Sequence, residues 1–268
     1  MTNPFKADVL VVKLSGKALT ADKALDALFA ALAGSAANAE RTRVVLVHGG
    51  GVEVDALMRG LDRPIDRIEG LRVSPDEDMS VIAGALAGTC SLKLRGAAQR
   101  AGLMPLGLCA TDAGIGRVAP ADPRLGRVGV IEPGDSAAKR RLQALLDAGF
   151  TPVISSVGMD AAGALWNINA DDAAVASAAL LGAPLIFLSD VPGVLDANKH
   201  LFEQLNEKQA ETLIAEGVIS GGMTVKVRAA FRAAAMTGKP VAAASVFDPM
   251  LPNKLASGQL PGTTFTLE

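Results

Sequence analysis

Short apolar runs alternate with segments of helical periodicity along most of this chain. Val9 to Leu14 (VLVVKL) is nearly continuous in apolar residues and stops at Ser15-Gly16, which predicts a strand buried on both faces of a parallel sheet. From Asp22 to Ala36, residues Leu25, Leu28, Phe29 and Leu32 recur at helical spacing. The same grammar returns at Val44 to Val47, followed by His48-Gly49-Gly50-Gly51 and a helix over Val52 to Leu61. Two strand, glycine turn, helix units in tandem predict right-handed βαβ topology.

Further along, Ser74-Pro75-Asp76-Glu77 reads as a helix start with a capping box and a proline at the first helical position. The helix it opens is expected to run to about Arg100, with the small residues GALAG (84–88) in its middle. Met104 to Cys109 predicts a strand, and Arg117 to Glu132, with Asp122-Pro123 and Gly126, an irregular hairpin. Helix Ser136 to Ala148, strand Pro152 to Ser155, a short piece around Leu165 and Trp166, and helix Ala170 to Leu181 follow. The last third holds strand Pro184 to Leu188, the loop at 189–199, helices near Glu207 to Glu216 and Thr224 to Thr237, and strand Pro240 to Ala244. No low-complexity linker interrupts this order, so any two lobes are expected to share one sheet of an α/β fold.

Composition narrows the partners. Half of the 268 residues are hydrophobic, enough for a sizeable core. Lys and Arg number 26 against 28 Asp and Glu, a net charge of −2 that offers no bulk attraction to nucleic acid or an anionic membrane. Small molecules are the expected partners. Cys90 and Cys109 are not spaced as C-x-x-C and have no His nearby, which argues for two buried thiols in a reducing cytosol rather than a disulfide or zinc site. Asp8 and Lys13 interrupt any signal-peptide pattern at the N-terminus. The apolar stretch Ala173 to Leu188 contains Gly182 and Pro184 and falls short of the ~20 residues that span a bilayer. A soluble cytoplasmic protein is therefore expected.

In open α/β sheets ligands sit at the carboxyl ends of strands, where helix N-termini favour anions. Both glycine turns fall at such ends. Residues 49–54 (GGGVEV) lack the last glycine of the dinucleotide fingerprint, and no P-loop sequence occurs. HGGG also occurs in lipase oxyanion holes, but that chemistry needs a G-x-S-x-G elbow, which is absent, and a late catalytic histidine, for which only His200 in a polar loop is available. Lys13, Arg72, Asn167, Asp171, Asp190 and Lys226 all lie next to expected strand or helix ends. Two lysines and an arginine beside a glycine-lined cleft suit an anionic substrate and a phosphoryl group. Phosphoryl transfer asks for positioning and positive charge rather than a protein nucleophile.

The segments KLSG (13–16), VHGGG (47–51), GLRVSPDEDMSVIAGALAG (70–88), NINAD (167–171), LSDVPGVLD (188–196) and GGMTVKV (221–227), in this order and spacing, closely resemble the acetylglutamate kinase branch of the amino acid kinase family over essentially the whole chain. KLSG alone is shared with uridylate kinases; its combination with HGGG, GLRV and NINAD is the specific signal. A uridylate kinase is expected to read GGGN where this chain has GGGV, an aspartate kinase to carry a C-terminal regulatory domain, and a degenerate sensor to have lost Lys13, Asp171 or Lys226.

The resemblance implies a three-layer αβα sandwich around a mainly parallel sheet. An N-terminal lobe (1–175) would bind N-acetyl-L-glutamate and dimerise, and a C-terminal lobe (176–268) would bind ATP with Mg²⁺. It implies transfer of the γ-phosphoryl group to the substrate's side-chain carboxylate, giving N-acetyl-L-glutamyl 5-phosphate and ADP, the second step of arginine biosynthesis. By position, Lys13 and Lys226 match two transition-state lysines and Asp171 the aspartate that orients them. Gly16, Gly49 and Gly50 match glycines whose N–H groups meet phosphoryl and carboxylate oxygens; Arg72 and Asn167 match the residues holding the substrate's other carboxylate. The nucleotide would lie against Asp190, Val191, Pro192, Gly193, Val194 and Leu195 and near Val218, Ile219 and Ser220; no protein metal ligand is implied. Ser15 stands where the family usually has glycine, leaving open a stiffer loop or an added hydrogen bond to phosphate. Only eight residues precede the first strand, which predicts a homodimer through the 75–100 helix rather than an arginine-inhibited hexamer.

Overall fold

The computed structural model describes residues 8–34, 42–257, 259 and 261–267. The first third contains β1 (Val9–Leu14), α1 (Asp22–Gly34), β2 (Arg43–His48), α2 (Gly51–Gly60), the short strands β3 (Arg67–Ile68) and β4 (Leu71–Arg72), α3 (Met79–Ala83) and α4 (Ser91–Arg100). Next come β5 (Pro105–Cys109), β6 (Gly116–Pro120), β7 (Val128–Pro133), α5 (Ser136–Asp147), β8 (Thr151–Ser155), β9 (Val157–Met159), β10 (Leu165–Ile168) and α6 (Ala170–Leu181). The chain closes with β11 (Leu185–Ser189), β12 (Gln204–Asn206), α7 (Glu207–Ala215), α8 (Gly222–Thr237), β13 (Val241–Ser245), α9 (Leu251–Ser257) and β14 (Thr263–Thr266). The predicted end of the first helix, residues 35 and 36, and most of the segment preceding β1 lie outside the described residues.

An eight-stranded sheet in the order β12-β14-β13-β11-β1-β2-β8-β5 forms the middle layer. Its pairs are parallel except β13 with β14. β1 shows why the layers form: Val9 and Val11 enter one core with α5, α6 and α8, while Leu10, Val12 and Leu14 enter a second with α1, α4 and α9. Each such Val or Leu, fully buried, contributes about 1.5–3 kcal/mol by leaving water. A four-stranded sheet, β6-β7-β10-β9, adjoins this frame. A third apolar cluster, with Val54 and Met58 of α2, Met79 and Ile82 of α3, and Leu86, underlies the cleft described below.

α6 is nearly all buried because it lies between α8, β1 and β7, which is the expected place for a helix apolar on every side. Asn169 caps it by accepting from the Asp171 N–H, and Gly182, in the left-handed conformation, ends it.

Three expectations need correction. The 75–100 segment is not one α-helix: a 3₁₀ turn over Asp76–Asp78 leads into α3, a π-helical stretch over Gly84–Cys90, and then α4. The capping box at Ser74 does not form. Pro75 precedes the 3₁₀ turn without a side-chain cap, and the Ser74 hydroxyl instead donates to the Arg72 carbonyl and accepts from Asn167. Of the two free cysteines Cys90 is buried, and burial pushes its thiol up to about 11, but Cys109 is only half-buried.

Candidate active site

β1 and β11 are adjacent parallel strands with Leu14 opposite Leu188, so the turns leaving them emerge side by side. β2 lies on the other side of β1 with His48 opposite Leu14, which places the glycine run in the same row. A cavity of about 540 Å³ opens there. Its walls include Gly49, Gly50, Gly51, Arg72, Asn167 and Asp171, together with Gly221 and Gly222. Three helices, α2, α6 and α8, begin on these walls, so three sets of free backbone N–H groups and three positive dipole ends converge on one space. Such a cavity favours anions.

Lys13, the penultimate residue of β1, forms an ion pair with Asp171 at 2.6 Å, and both side chains are nearly withdrawn from water. Lys226, in the second turn of α8, is buried to the same degree, with its ammonium 5.9 Å from the Phe187 ring centroid. Burial pushes Lys226 below the ordinary lysine value, and the charge of Lys13 adds to this against the opposing pull of Asp171 and Asp190. For Asp171, burial alone would raise the carboxyl; the charges of Lys13 and Lys226 and the contact from Lys13 outweigh it and hold the group below the usual carboxylate value. The aspartate is thus ionised, in contact with Lys13 and within electrostatic reach of Lys226. Its neighbour Asp172 turns to Arg232 on α8 instead.

Close approach leaves little room for a side chain in two of the turns. A Cβ on Gly50 would collide with Cys90 Sγ and press within 3.0 Å of Leu86 Cδ2, both from the π-helical stretch. A Cβ on Gly16 would lie 3.3 Å from the Gly51 nitrogen. Ser15 is accounted for locally: its hydroxyl accepts from the Ala18 N–H at 3.3 Å, at the start of the turn that follows Gly16. His48 is fully buried, and burial lowers it to about 4, so it is neutral at physiological pH and packs beneath the loop.

Arg72 is buried on β4. Its Nη2 donates to Asp55 on α2 and to the Gly51 carbonyl at 3.4 Å, while its Nη1 has no protein partner. Asp55 also accepts from Arg67, at 3.0 and 3.1 Å. Asn167 is tied to Ser74 at 3.0 Å. Sequence reasoning missed Asp55, Arg67 and Ser74. Asp55 sits on α2 with no motif around it, and only the β3–β4 hairpin brings the two arginines to it.

Lys13, Gly16 and Lys226 lie behind the cavity wall rather than on it, and the remaining anticipated residues also stand apart from it. Asp190 follows β11 and pairs with Lys17 at 2.7 Å, largely in solvent. Val194 is a core residue whose N–H donates to Thr263 Oγ1 at 2.8 Å, and Gly193 is packed against the same threonine. Ile219 is likewise in the core, with Val218 half-buried and Ser220 exposed. Val191 and Leu195 are half-buried and Pro192 is exposed. Among the described residues there is no cluster of three or more His, Cys, Asp or Glu able to hold a metal ion, and no helix long and apolar enough to cross a membrane.

Residues 8–244 match the model of the amino acid kinase family. The chain belongs to that family, whose members are kinases using ATP. It is 47% identical over 265 residues to acetylglutamate kinase from Vibrio vulnificus strain YJ016, covering 99% of each chain, and 46% identical over 258 residues to acetylglutamate kinase from Aeromonas salmonicida strain A449, covering 96% of this chain and 98% of that one. Within the family it therefore falls among the acetylglutamate kinases, which phosphorylate a carboxyl group. Among solved structures, the smu.665 protein from Streptococcus mutans UA159 superposes with a TM-score of 0.82 at 28% identity, covering 97% of this chain and 99% of that one.

Proposed function

We propose that this protein transfers the γ-phosphoryl group of ATP to the side-chain carboxylate of N-acetyl-L-glutamate. One observation carries the reading: the glycine-lined cavity adjoins a buried lysine, aspartate, lysine cluster and also holds an arginine whose Nη1 is unpartnered. Lys13 and Lys226 stabilise the charge that develops on the transferred group, and Asp171 keeps both ammonium groups aimed. Gly16, Gly49 and Gly50 present backbone N–H groups to phosphoryl and carboxylate oxygens. The attacking carboxylate, with an ordinary value near 4.3, is ionised at neutral pH, so the step needs no general base. One oxygen–phosphorus bond forms, that to ADP breaks, and ADP leaves with the electron pair.

Arg72 and Asn167 hold the substrate's other carboxylate, a task suited to a planar guanidinium. The nucleotide lies along Asp190 to Leu195 and Val218 to Ser220; where Val194 and Ile219 are core residues, the backbone is what remains for it. Mg²⁺ would be carried by the nucleotide phosphates, since it prefers phosphate oxygens and water; among the described residues no cluster of three or more His, Cys, Asp or Glu stands ready to hold it. Residues 1–175 form the acetylglutamate lobe and 176–268 the nucleotide lobe, in a cytoplasmic homodimer built through the 75–100 region, on which Leu92 is 61% exposed.

A coupled assay of ADP release tests the reading. It should show turnover with N-acetyl-L-glutamate and none above background with L-glutamate, L-aspartate or UMP. Equal turnover with glutamate would overturn it. Sedimentation at micromolar concentration should give twice the 27.3 kDa chain mass.

A further inference from the structure

Arg67 and Arg72 are directly opposite one another in the antiparallel β3–β4 pair. Like charges so placed repel and destabilise a hairpin. Here a single carboxylate stands against both: Asp55 accepts from Arg67 Nη2 through both oxygens and from Arg72 Nη2 through one. Asp55 lies one turn into α2, the helix that begins at Gly51 directly after Gly49 and Gly50. Arg72 also reaches the Gly51 carbonyl. The helix that starts at the proposed phosphoryl-facing glycines therefore also grips the arginine proposed to hold the substrate's far carboxylate. Arg72 is 7% exposed, and with Nη2 engaged its buried Nη1 is left without an acceptor. A buried guanidinium N–H without an acceptor is costly, and a substrate carboxylate would satisfy it.

We infer that Asp55 is a positioning residue for substrate recognition: it locks Arg72 to the glycine-loop helix and neutralises Arg67, leaving the Arg72 Nη1 edge to select a substrate by its second carboxylate. The inference rests on the assignment of Arg72 to that carboxylate. Asp55 touches no reacting atom; it fixes the distance between the two points at which a dicarboxylic substrate is held. Arg67, 42% exposed at its side chain, is kept from offering a competing anion site at the cavity rim.

The test compares wild type, Asp55→Asn and Asp55→Ala with two substrates, N-acetyl-L-glutamate and its α-amide, which retains the reacting side-chain carboxylate but lacks the second one. With N-acetyl-L-glutamate, both variants should raise KM by about tenfold or more, Asp55→Ala the more, with kcat within about threefold and KM for ATP unchanged. With the α-amide, reacted slowly by wild type, the variants should lose less than about twofold further in kcat/KM. An unchanged KM for ATP also reports that the variants are folded, and the isosteric Asp55→Asn guards against collapse of the alanine variant. Equal losses on both substrates would mean a merely structural role and overturn the inference, as would KM for N-acetyl-L-glutamate within twofold of wild type in both variants. If wild type used the two substrates equally, the fault would lie instead with the assignment of Arg72.

Discussion

Two clusters in this molecule share one formula, two cations around one carboxylate, and differ in everything else. Lys13, Asp171 and Lys226 are buried to a similar degree and drawn from β1, α6 and α8. Arg67, Asp55 and Arg72 come from a hairpin and the helix beside it, and Arg67 is partly in water. Each leaves one positive charge in excess for an anion. Lysine is a compact point charge whose proton affinity shifts on burial, whereas arginine is a fixed fork that stays charged. The lysine cluster thus suits charge that moves during a reaction, and the arginine cluster suits charge that must stay still.

The largest effects should come from the lysine cluster. Lys226→Ala should lower kcat by about a thousandfold with little change in KM for N-acetyl-L-glutamate, the size expected for removing one preorganised charge donor. A rise in KM with intact kcat would reverse the roles given to the two clusters. Because burial lowers Lys226 in the free protein, its ammonium deprotonates below the ordinary lysine value, so kcat/KM should fall about tenfold per pH unit on an alkaline limb that begins below 10.5. Lys226→Arg should remove that limb. Asp171 has the opposite sign: held below 3.8, it stabilises the fold above that value, and the contribution is lost as pH falls through the lower folded-state value. Asp171→Ala, which strands buried lysines, should cost about 3–5 kcal/mol in denaturant unfolding at pH 7.

At the arginine cluster the change should move to KM. Arg72→Ala should raise KM for N-acetyl-L-glutamate on the order of a hundredfold, as when one partner of a buried charge pair is truncated, while kcat at saturation stays within a few-fold. Arg72→Lys keeps the charge but not the fork and should recover only part of the loss. Full recovery by lysine would show that charge alone matters there.

The two clusters were unequally legible in the amino-acid sequence. Lys13, Asp171 and Lys226 lie beside expected strand or helix ends and inside the segments KLSG, NINAD and GGMTVKV, whose resemblance to the family supplied their roles. The helix expected over Ala170 to Leu181 has its observed bounds in α6, where Asn169 and Gly182 mark both ends chemically. Asp55 carries no such mark, since its partners arrive through a two-residue strand pairing. The short strands β9, β12 and β14 escaped for a related reason: three or four residues carry too little periodicity, and only long-range pairing defines them. At Ser74 a convincing local pattern was overridden because Asn167, far away in the chain, uses the hydroxyl. Periodicity is equally silent on the tertiary contact of the π-helical stretch, where Leu86 and Cys90 fill the space beside Gly50.

That contact supplies a smaller effect at the loop between the clusters. Gly50→Ala should destabilise the protein by about 1–3 kcal/mol, the usual range for overpacking, because Cys90 and Leu86 already occupy the space. Gly51→Ala has open space around the added methyl and should fall within about 0.5 kcal/mol of wild type. Adding Cys90→Ala to Gly50→Ala removes the nearest obstacle and should restore part of the loss in urea unfolding. If both single glycine variants behaved alike, the packing account of this loop would be wrong.

Among the ion pairs the smallest effect should come from Lys17, and it isolates burial from distance. Lys17 meets Asp190 at 2.7 Å and Lys13 meets Asp171 at 2.6 Å, so the two contacts are nearly equal in length. The Lys17 side chain is 67% exposed, however, against 8% for Lys13. Water and salt screen an exposed pair, and two long side chains must be ordered to form it, so such pairs contribute about 0–1 kcal/mol. Lys17→Ala should therefore shift urea unfolding by less than about 1 kcal/mol, and the shift should shrink further in 1 M salt. The hydrogen bond from Lys17 is the leading cause holding Asp190 below its ordinary value, so the Asp190 carboxyl should titrate higher in this variant, which carbon-detected NMR can follow. A salt-insensitive loss as large as that of Asp171→Ala would mean that proximity, rather than removal from water, sets the strength of both pairs.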